Sequence, residues 1–291
     1  MIRIDHPLPS EPIVRIRVSR QLLGRATYSA AAYWVDRLLI DTGSARTAHL
    51  FAQAVASLGV DQVVNTHSHE DHIGANASVQ GLTQSPIFAH PAALPILENP
   101  RLQPLQPYRR FFWGWPRPSQ GTPIGTEIVT DRYRFQVIPT PGHSPDHVCL
   151  FEPDQGWLFS GDAFIGGQDR ALRRDNDIHG ILASLKTLSS LPIQVLLAGS
   201  GTVRTEGAQP ILDKIAYLQE LGERIAELQA QGLGPRRIRR RLLGKEPPIT
   251  YLTLGHFSGL HLIRSYLAPP QATEPQPQEE PLSADDPPTS P

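Results

Sequence analysis

Cysteine is almost absent from this chain of 291 residues, in which Cys149 is the only one. A single cysteine excludes an internal disulfide framework and any metal site built from several thiolates. Cys149 stands in an apolar run between Val148 and Phe151, whereas reactive thiols need an accessible, electropositive setting. We therefore predict that Cys149 is a small core residue and not a nucleophile.

A surplus of charge and a long hydrophobic run are also missing. The 27 basic and 28 acidic residues give a formal net charge of −1, so no global field attracts nucleic acid or an anionic membrane. No apolar run approaches the roughly 20 residues that span a bilayer, and the first residues lack the uninterrupted apolar segment of a signal peptide. These features favour a cytoplasmic protein that has neither a membrane nor a nucleic acid as its partner.

Hydrophobic residues make up 40% of the chain, which is enough for a sizeable core. Up to about residue 200, predicted strands are interleaved with helical patterns, which indicates a layered α/β fold. Antiparallel-looking stretches argue against a simple parallel sheet. Strands are predicted at 13–18, 31–40, 62–65, 134–138, 148–151, 157–160 and 194–198, and a helix is predicted over 46–58.

The pattern becomes helical in the last third of the chain. Apolar residues recur at helical spacing from Ile211 to Gln231, and shorter helices are predicted over 235–243 and 257–267. We expect an α/β domain over 12–205, a helical C-terminal extension over 206–268 and a tail over 269–291. The tail is rich in proline and acidic residues, a composition that predicts disorder.

Four metal-ligand side chains crowd the loop that follows the predicted strand at 62–65. In extended chain, His67 and His69 point to the same side and can bind one ion. Asp71 and His72 lie just beyond and can reach a second ion. Imidazole nitrogen and carboxylate oxygen are both ligands that zinc accepts. This segment therefore predicts a metal site.

Two further ligand-type residues follow strands later in the chain. His143 lies in a Pro-Gly-His turn after one predicted strand, and Asp162 ends another in a Ser-Gly-Asp sequence. Either residue alone is most often solvated or a capping group, but their occurrence after the histidine cluster favours one joint site. A zincin helix is excluded, because it would require a second histidine at Ile73.

With these motifs, the chain resembles the metallo-β-lactamase-fold hydrolase superfamily over about residues 12 to 205, and its glyoxalase II-like members in particular. The segment from Thr66 to Gly74 matches the signature of the family, and Leu39 to Gly43 resembles its early strand and turn. The resemblance implies a four-layer αββα sandwich of two mixed sheets, here with the helical appendage. The metals would lie at one end, where strand-end loops meet.

The resemblance also implies a role for each ligand. The first metal would be bound by His67, His69 and His143, the second by Asp71 and His72, and Asp162 would bridge the two. Two zinc ions are expected, with iron or manganese as alternatives. Such ions lower the pKa of a bound water to about 7, which implies that hydroxide attacks a small ester, thioester or lactone. Asp71 would orient the nucleophile, and Asp41 is either an acceptor for the N–H of a ligand histidine or the cap of a buried turn.

One position departs from the family pattern. Ser200, between two glycines, stands where the family usually has a histidine for the second metal. A hydroxyl is a poor zinc ligand, so the second ion is expected to bind weakly or to use another side chain. We predict that His256, directly after Gly255, reaches the cleft as a substitute ligand or as a substrate-binding group. The alternative is a histidine that packs the appendage against the core.

Other functions remain open. Five arginines between Arg236 and Arg241 could bind the phosphates of a nuclease substrate, although a solvated helix face also accounts for them. Loss of the second-site histidine would suit a mononuclear non-haem iron enzyme, a sulfur dioxygenase, with His69, His143 and Asp162 as ligands. A non-catalytic scaffold is the third alternative. The aromatic segment from Tyr108 to Pro116 is either a lid over the substrate or a loop packed on the core.

Overall fold

Two mixed β-sheets form the inner layers of the computed structural model, which describes residues 1–22 and 25–269. In the first sheet the spatial order of the strands follows the chain order; neighbours are antiparallel from β1 to β4 and parallel from β4 to β7. Its strands are β1 Ile2–Asp5, β2 Ile13–Leu22, β3 Arg25–Val35, β4 Leu38–Ile40, β5 Gln62–Val64, β6 Ile87–Ala89 and β7 Thr122–Pro123.

The second sheet has six strands in the order β14-β13-β11-β10-β9-β8. They are β8 Glu127–Val129, β9 Arg134–Pro139, β10 Val148–Glu152, β11 Trp157–Gly161, β13 Val195–Ala198 and β14 Val203–Arg204. Only β11 and β13 pair in parallel in this sheet of the described chain. A separate two-stranded antiparallel sheet joins β12 Leu172–Arg173 to β15 Phe257–Ser258.

The helices form the outer layers. They are α1 Ala48–Ala56, α2 Asn76–Thr83, α3 Leu94–Glu98, α4 Pro107–Phe112, α5 Ile178–Ser189, α6 Gln209–Ala230, α7 Pro235–Leu243, α8 Pro248–Leu252 and α9 Gly259–Leu267, with short 3-10 helices at Ala45–Thr47, Pro91–Ala93 and Pro100–Leu102. In the described chain, no helix has the length and apolar character needed to cross a membrane.

Three apolar clusters lie between these four layers. The middle cluster joins the two sheets, and in it the rings of Tyr33 and Phe159 lie 5.4 Å apart, edge to face. A second cluster packs α1 and α2 on the first sheet, and a third packs α5 and α6 on the second sheet. Since each sheet buries one face on the other sheet and one on helices, the predicted αββα sandwich is confirmed.

The strand predicted at 31–40 is in fact the end of β3 and the whole of β4. The chain turns between them at Asp36 and Arg37, whose φ angles are 46° and 66°. A two-residue hairpin with two positive φ values matches the twist of the strands, and it usually contains asparagine or glycine. The Asp-Arg pair carries no such signal, so the sequence pattern did not reveal the turn.

The helical extension shares its core with the second sheet. Ile211, Ile215 and Leu218 of α6 are buried in the same cluster as Leu185 of α5. At the other end of the chain, β1 lies before the expected domain start at residue 12 and pairs with β2. The tail expected over 269–291 lies, from residue 270 onward, outside the described residues.

Cys149 is a core residue, as predicted. It lies on β10 with no exposed surface, and burial raises the pKa of its thiol to about 12. A thiol with so high a pKa has a negligible thiolate fraction at neutral pH, which excludes a nucleophilic role.

Candidate metal centre

Three imidazole nitrogens converge at the carboxyl ends of the strands. His67 and His69 lie in the loop after β5, and His143 lies in the loop after β9. His67 Nε2 is 2.7 Å from His69 Nδ1, which is 3.0 Å from His143 Nε2. Ligand atoms around a tetrahedral zinc at bond lengths of 2.0–2.1 Å stand about 3.3 Å apart. The three predicted ligands of the first metal are thus close enough to bind one ion.

These histidines are held in the neutral form. Burial, together with neighbouring histidines and Arg173, holds the pKa values of His67 and His69 well below their usual range. Burial, offset in part by Asp162, lowers the pKa of His143 to about 3. Because neutral imidazole is the form that binds metal ions, the protein environment favours coordination over protonation.

Asp162 faces both halves of the candidate centre. Its Oδ2 lies 3.5 Å from His143 Nε2, and its Oδ1 lies 3.5 Å from His72 Nε2. The turn that positions it depends on Gly161, which has a φ of 47° and whose added Cβ would lie 2.7 Å from His147 Nε2. The backbone N–H of Asp162 donates to that same nitrogen at 3.0 Å. Asp162 is therefore held between the two predicted ion positions.

Asp41 fixes the orientation of His72. Its Oδ2 lies 2.7 Å from His72 Nδ1, and its two oxygens also accept hydrogen bonds of 2.8 Å from the backbone N–H and hydroxyl of Thr66. With Nδ1 occupied in this way, the Nε2 of His72 is left facing Asp162. Asp41 thus has the acceptor role that the sequence suggested.

Asp71 lines the same cleft, but its carboxylate is not among the closely spaced ligand atoms. The ligand atoms of two groups lie within 4.8 Å of one another, one with His67, His69 and His143 and one with His67, His72 and Asp162. Asp71 belongs to neither group. Burial, opposed by His72, raises the pKa of its carboxyl to about 6. Its predicted roles as a second-metal ligand and as a catalytic residue therefore remain proposals.

The loop at Ser200 lies against the second half of the centre. A Cβ added to Gly199 would lie 2.6 Å from Asp162 Oδ1 and 2.9 Å from His72 Cε1, so the backbone itself approaches these ligands. Ser200 lines the cleft, and its hydroxyl donates to Thr202 Oγ1 at 3.2 Å. With a serine at position 200, the second predicted ion position has one imidazole, that of His72, whereas the first has three.

His256 lies near the cleft but not among the metal ligands. Its Nδ1 is 2.8 Å from the hydroxyl of Tyr108, and its Nε2 is 3.8 Å from Asp175 Oδ1. It belongs to neither group of closely spaced ligand atoms. This position gives no support to the prediction of a substitute metal ligand; the alternative of a substrate contact stays a prediction.

The aromatic segment both lines the cleft and packs on the core. Tyr108 and Trp113 line the cleft, while Phe112 and Trp113 are buried in the cluster under the first sheet. The segment is attached to the histidine motif by Arg109, which donates from Nε to Glu70 Oε1 at 2.7 Å and from Nη2 to Glu70 Oε2. The alternative of a loop packed on the core therefore describes this segment, and the lid over the substrate stays a prediction.

Two cationic side chains in the cleft had no sequence signal. Arg173 Nη1 lies 3.3 Å from His69 Nδ1, and Lys214 Nζ lies 2.9 Å from Asp169 Oδ2. Both line the cleft, which encloses about 260 Å³. They come from β12 and α6, far from the histidine motif in the chain. None of the arginines at 236–241 lines this cavity.

A profile of the metallo-beta-lactamase superfamily matches residues 28–200 of the chain. Among curated proteins, a hydroxyacylglutathione hydrolase of Idiomarina loihiensis is 28% identical over 67% of this chain and 68% of its own length. An atrochrysone carboxyl ACP thioesterase of Aspergillus fumigatus is 27% identical over 67% of this chain and 56% of its own. The chain spans about half to two thirds of the length of the curated relatives it matches.

Solved structures show the same fold. A metallo-beta-lactamase family protein of Thermus thermophilus has a TM-score of 0.61 at 20% identity, with 88% of this chain and 92% of that one covered. TTHA1623, solved in a di-iron-bound form, has a TM-score of 0.53 at 29% identity, with 68% of this chain and 96% of that one covered. The likeness thus extends over most of the described chain.

Proposed function

The chain belongs to the metallo-β-lactamase superfamily, and on that basis we propose that it is a metal-dependent hydrolase of small thioesters. The observation that carries the proposal is the convergence of His67 Nε2, His69 Nδ1 and His143 Nε2, with Asp162 beside them. The similarity to a thioesterase and to a hydroxyacylglutathione hydrolase supports the thioester over the ester and the lactone.

The donor set fits a pair of divalent ions. His67, His69 and His143 would hold the first, His72 and Asp71 the second, and Asp162 would contact both. When bound, such ions polarise a carbonyl and make water nucleophilic near neutral pH. Zinc accepts these ligands, and so do iron and manganese; a similar protein was solved with two irons. We propose zinc, with the second ion bound more weakly because Ser200 replaces an imidazole.

The side chains of the protein would prepare the site in three ways. Burial keeps His67, His69 and His143 neutral, and Asp41 holds His72 with its Nε2 toward Asp162. Asp71, on the wall of the cleft, would orient the attacking water and accept its proton. Tyr108 and Trp113 would cover the substrate from the side of α4 and exclude bulk water.

The other candidate functions have less support. The arginines at 236–241 do not line the cleft, so no observation favours the nuclease. The missing second-site imidazole favours a single metal, which keeps the mononuclear iron dioxygenase as the second candidate. These two enzymes differ in metal content, with about two zinc ions per chain for the hydrolase and one iron for the dioxygenase.

Mass spectrometry of the purified protein together with a substrate panel tests the proposal. The panel contains an acetyl thioester, a lactone and a phosphodiester, and the release of thiol, acid or alcohol is measured. We expect cleavage of the thioester above all and loss of that activity in His143→Ala. Cleavage of the phosphodiester alone, or one iron per chain with oxygen consumption, would contradict the proposal.

A further inference from the structure

A second cavity of about 290 Å³ adjoins the metal cleft. Arg109 and Arg173 line both spaces and form the wall between them. Apart from Pro104 and Leu254, the other lining residues are polar or charged: Gln103, Gln106, Arg174, Asp175 and His256. Arg173 separates a molecule bound here from the candidate metal ligands, since its Nη1 is only 3.3 Å from His69 Nδ1.

The small sheet of β12 and β15 builds one side of this cavity. Arg173 pairs with Phe257 in the antiparallel register, and the backbone N–H of Arg174 donates to the carbonyl of His256 at 3.2 Å. These backbone contacts hold two arginines and a histidine next to one another. A site carried on a paired strand is more rigid than one carried on a free loop.

The cavity has an uncompensated positive charge. Asp175 is the only acidic residue of the described chain that lines it, and both its oxygens accept from Arg173, at 3.0 Å and 2.5 Å. Arg109 is paired with Glu70. The guanidinium of Arg174 is exposed and has no hydrogen bond or ion pair with any residue in the described part of the chain. One arginine therefore remains available for an anion.

The lowered pKa of His256 agrees with a positive charge in this cavity. Burial and the charge of Arg173 lower the pKa of His256 to about 4. The positive charge around His256 thus opposes protonation of its second ring nitrogen, and the ring is neutral at pH 7. A neutral imidazole bonded to Tyr108 leaves the arginines as the charged groups that an anion would meet.

We propose that this adjoining cavity binds a carboxylate or phosphate group at one end of the substrate, with the guanidinium of Arg174 as its partner. This inference rests on the proposed thioesterase function, since it assigns the scissile bond to the metal cleft and the anionic end to the cavity beyond Arg173. Arginine pairs readily with both oxyanions through its planar fork of N–H donors. The substrate class is then a short thioester with an acidic end.

The first experiment compares thioesters that differ only in charge. The acetyl thioesters of 3-mercaptopropionate, 3-mercaptopropionamide and 2-mercaptoethyl phosphate are hydrolysed by the metal-loaded protein, and kcat/KM is measured for each. We expect one of the two anionic substrates to be hydrolysed with a higher kcat/KM than the amide. Whether it is the carboxylate or the phosphate identifies the anion that the cavity binds. Arg174→Gln should reduce that preference by about 5-fold, as expected for one partly exposed ion pair. Arg174→Lys should retain most of it, and Arg240→Gln, an exposed arginine on α7, should retain all of it.

The second experiment measures binding without turnover. Succinate, inorganic phosphate and succinamide are titrated by calorimetry into the metal-loaded protein and into Arg174→Gln, and only the preferred anion should bind less tightly to the variant. If no thioester is cleaved but anion binding still depends on Arg174, the thioesterase function is wrong and the subsite stands. If thioesters are cleaved and neither the preference nor the binding changes in Arg174→Gln, the subsite is wrong and the thioesterase function stands.

Discussion

Arg109 of α4 and Glu70 of the histidine motif form a buried ion pair with two hydrogen bonds. Their side chains are only 6% and 1% exposed, so neither charge can be solvated by water if its partner is lost. The pair attaches the aromatic segment, Tyr108 to Pro116, to the loop that carries His69 and His72. It therefore links the geometry of the ligands to the wall of the substrate cleft.

Replacement of Arg109 by methionine should destabilise the protein strongly. An unpaired buried carboxylate costs about 3–5 kcal/mol, and urea unfolding of Arg109→Met measures this loss. Arg110→Met, at the exposed neighbouring position, is the matched control and should have little effect. The double variant Glu70→Gln/Arg109→Met should regain part of the lost stability; equal losses for Arg109→Met and Arg110→Met would contradict the role of the pair.

Replacement of His143 by alanine should remove the first metal and the activity. Three converging nitrogens become two. We therefore expect kcat/KM to fall by more than the 10–100-fold that is typical when a residue that only contacts a metal ligand is replaced. Metal content per chain is measured alongside activity. His49→Ala, an exposed histidine on α1, serves as the control. Full metal content and full activity in His143→Ala would show that this residue is not a ligand.

Asp41→Asn should weaken the second ion more than the first. The carboxylate holds His72 through Nδ1 at 2.7 Å, and loss of such a partner usually lowers metal affinity about 10–100-fold. Competition with a chromophoric chelator separates the two binding steps. The dissociation constant of the weaker step should rise, and that of the tighter step should not change. Equal weakening of both steps would indicate a general distortion of the loop instead.

Ser200→His should strengthen the second site. The loop already approaches His72 and Asp162 through Gly199, and Ser200 lines the cleft. An imidazole at this position would supply the nitrogen ligand that a hydroxyl does not. We expect the metal content after dialysis to rise toward two ions per chain. An unchanged content would mean that the side chain at position 200 does not reach the ion.

The metal-free protein should lose stability in mild acid. Burial lowers the pKa values of His143 and His147 to about 3 and about 4. In the folded state these histidines therefore take up protons only at a lower pH than in the unfolded state. The stability that these two neutral histidines contribute is therefore complete above the unfolded pKa of about 6.5 and decreases as the pH falls below it. Thermal unfolding of the chelated protein between pH 7 and pH 4 measures this loss; a flat profile would contradict it.

Local spacing was enough to predict that His67, His69 and His72 lie close together, because all three are in one loop after a buried strand. The sequence also suggested Asp41, since a conspicuous turn ends its strand. It could not indicate Arg173 or Lys214, because these side chains reach the cleft only through the packing of β12 and α6.

His256 shows a further limit of sequence patterns. A preceding glycine permits a close approach of the backbone but does not determine the direction in which the side chain points. That direction follows from the pairing of β12 with β15, which aligns residues far apart in the chain. The pattern therefore indicated a histidine near the cleft but could not identify Tyr108 and Asp175 as its neighbours.

The candidate ligands come from both sheets. His67, His69 and His72 follow β5 of the first sheet, while His143 and Asp162 follow β9 and β11 of the second. A bound ion would therefore act as a cross-link between the two halves of the sandwich. If the chain were divided between β7 and β8, each fragment would carry an incomplete set of ligands. Metal binding would then report the reassembly of the halves, and the ion would favour their association by mass action.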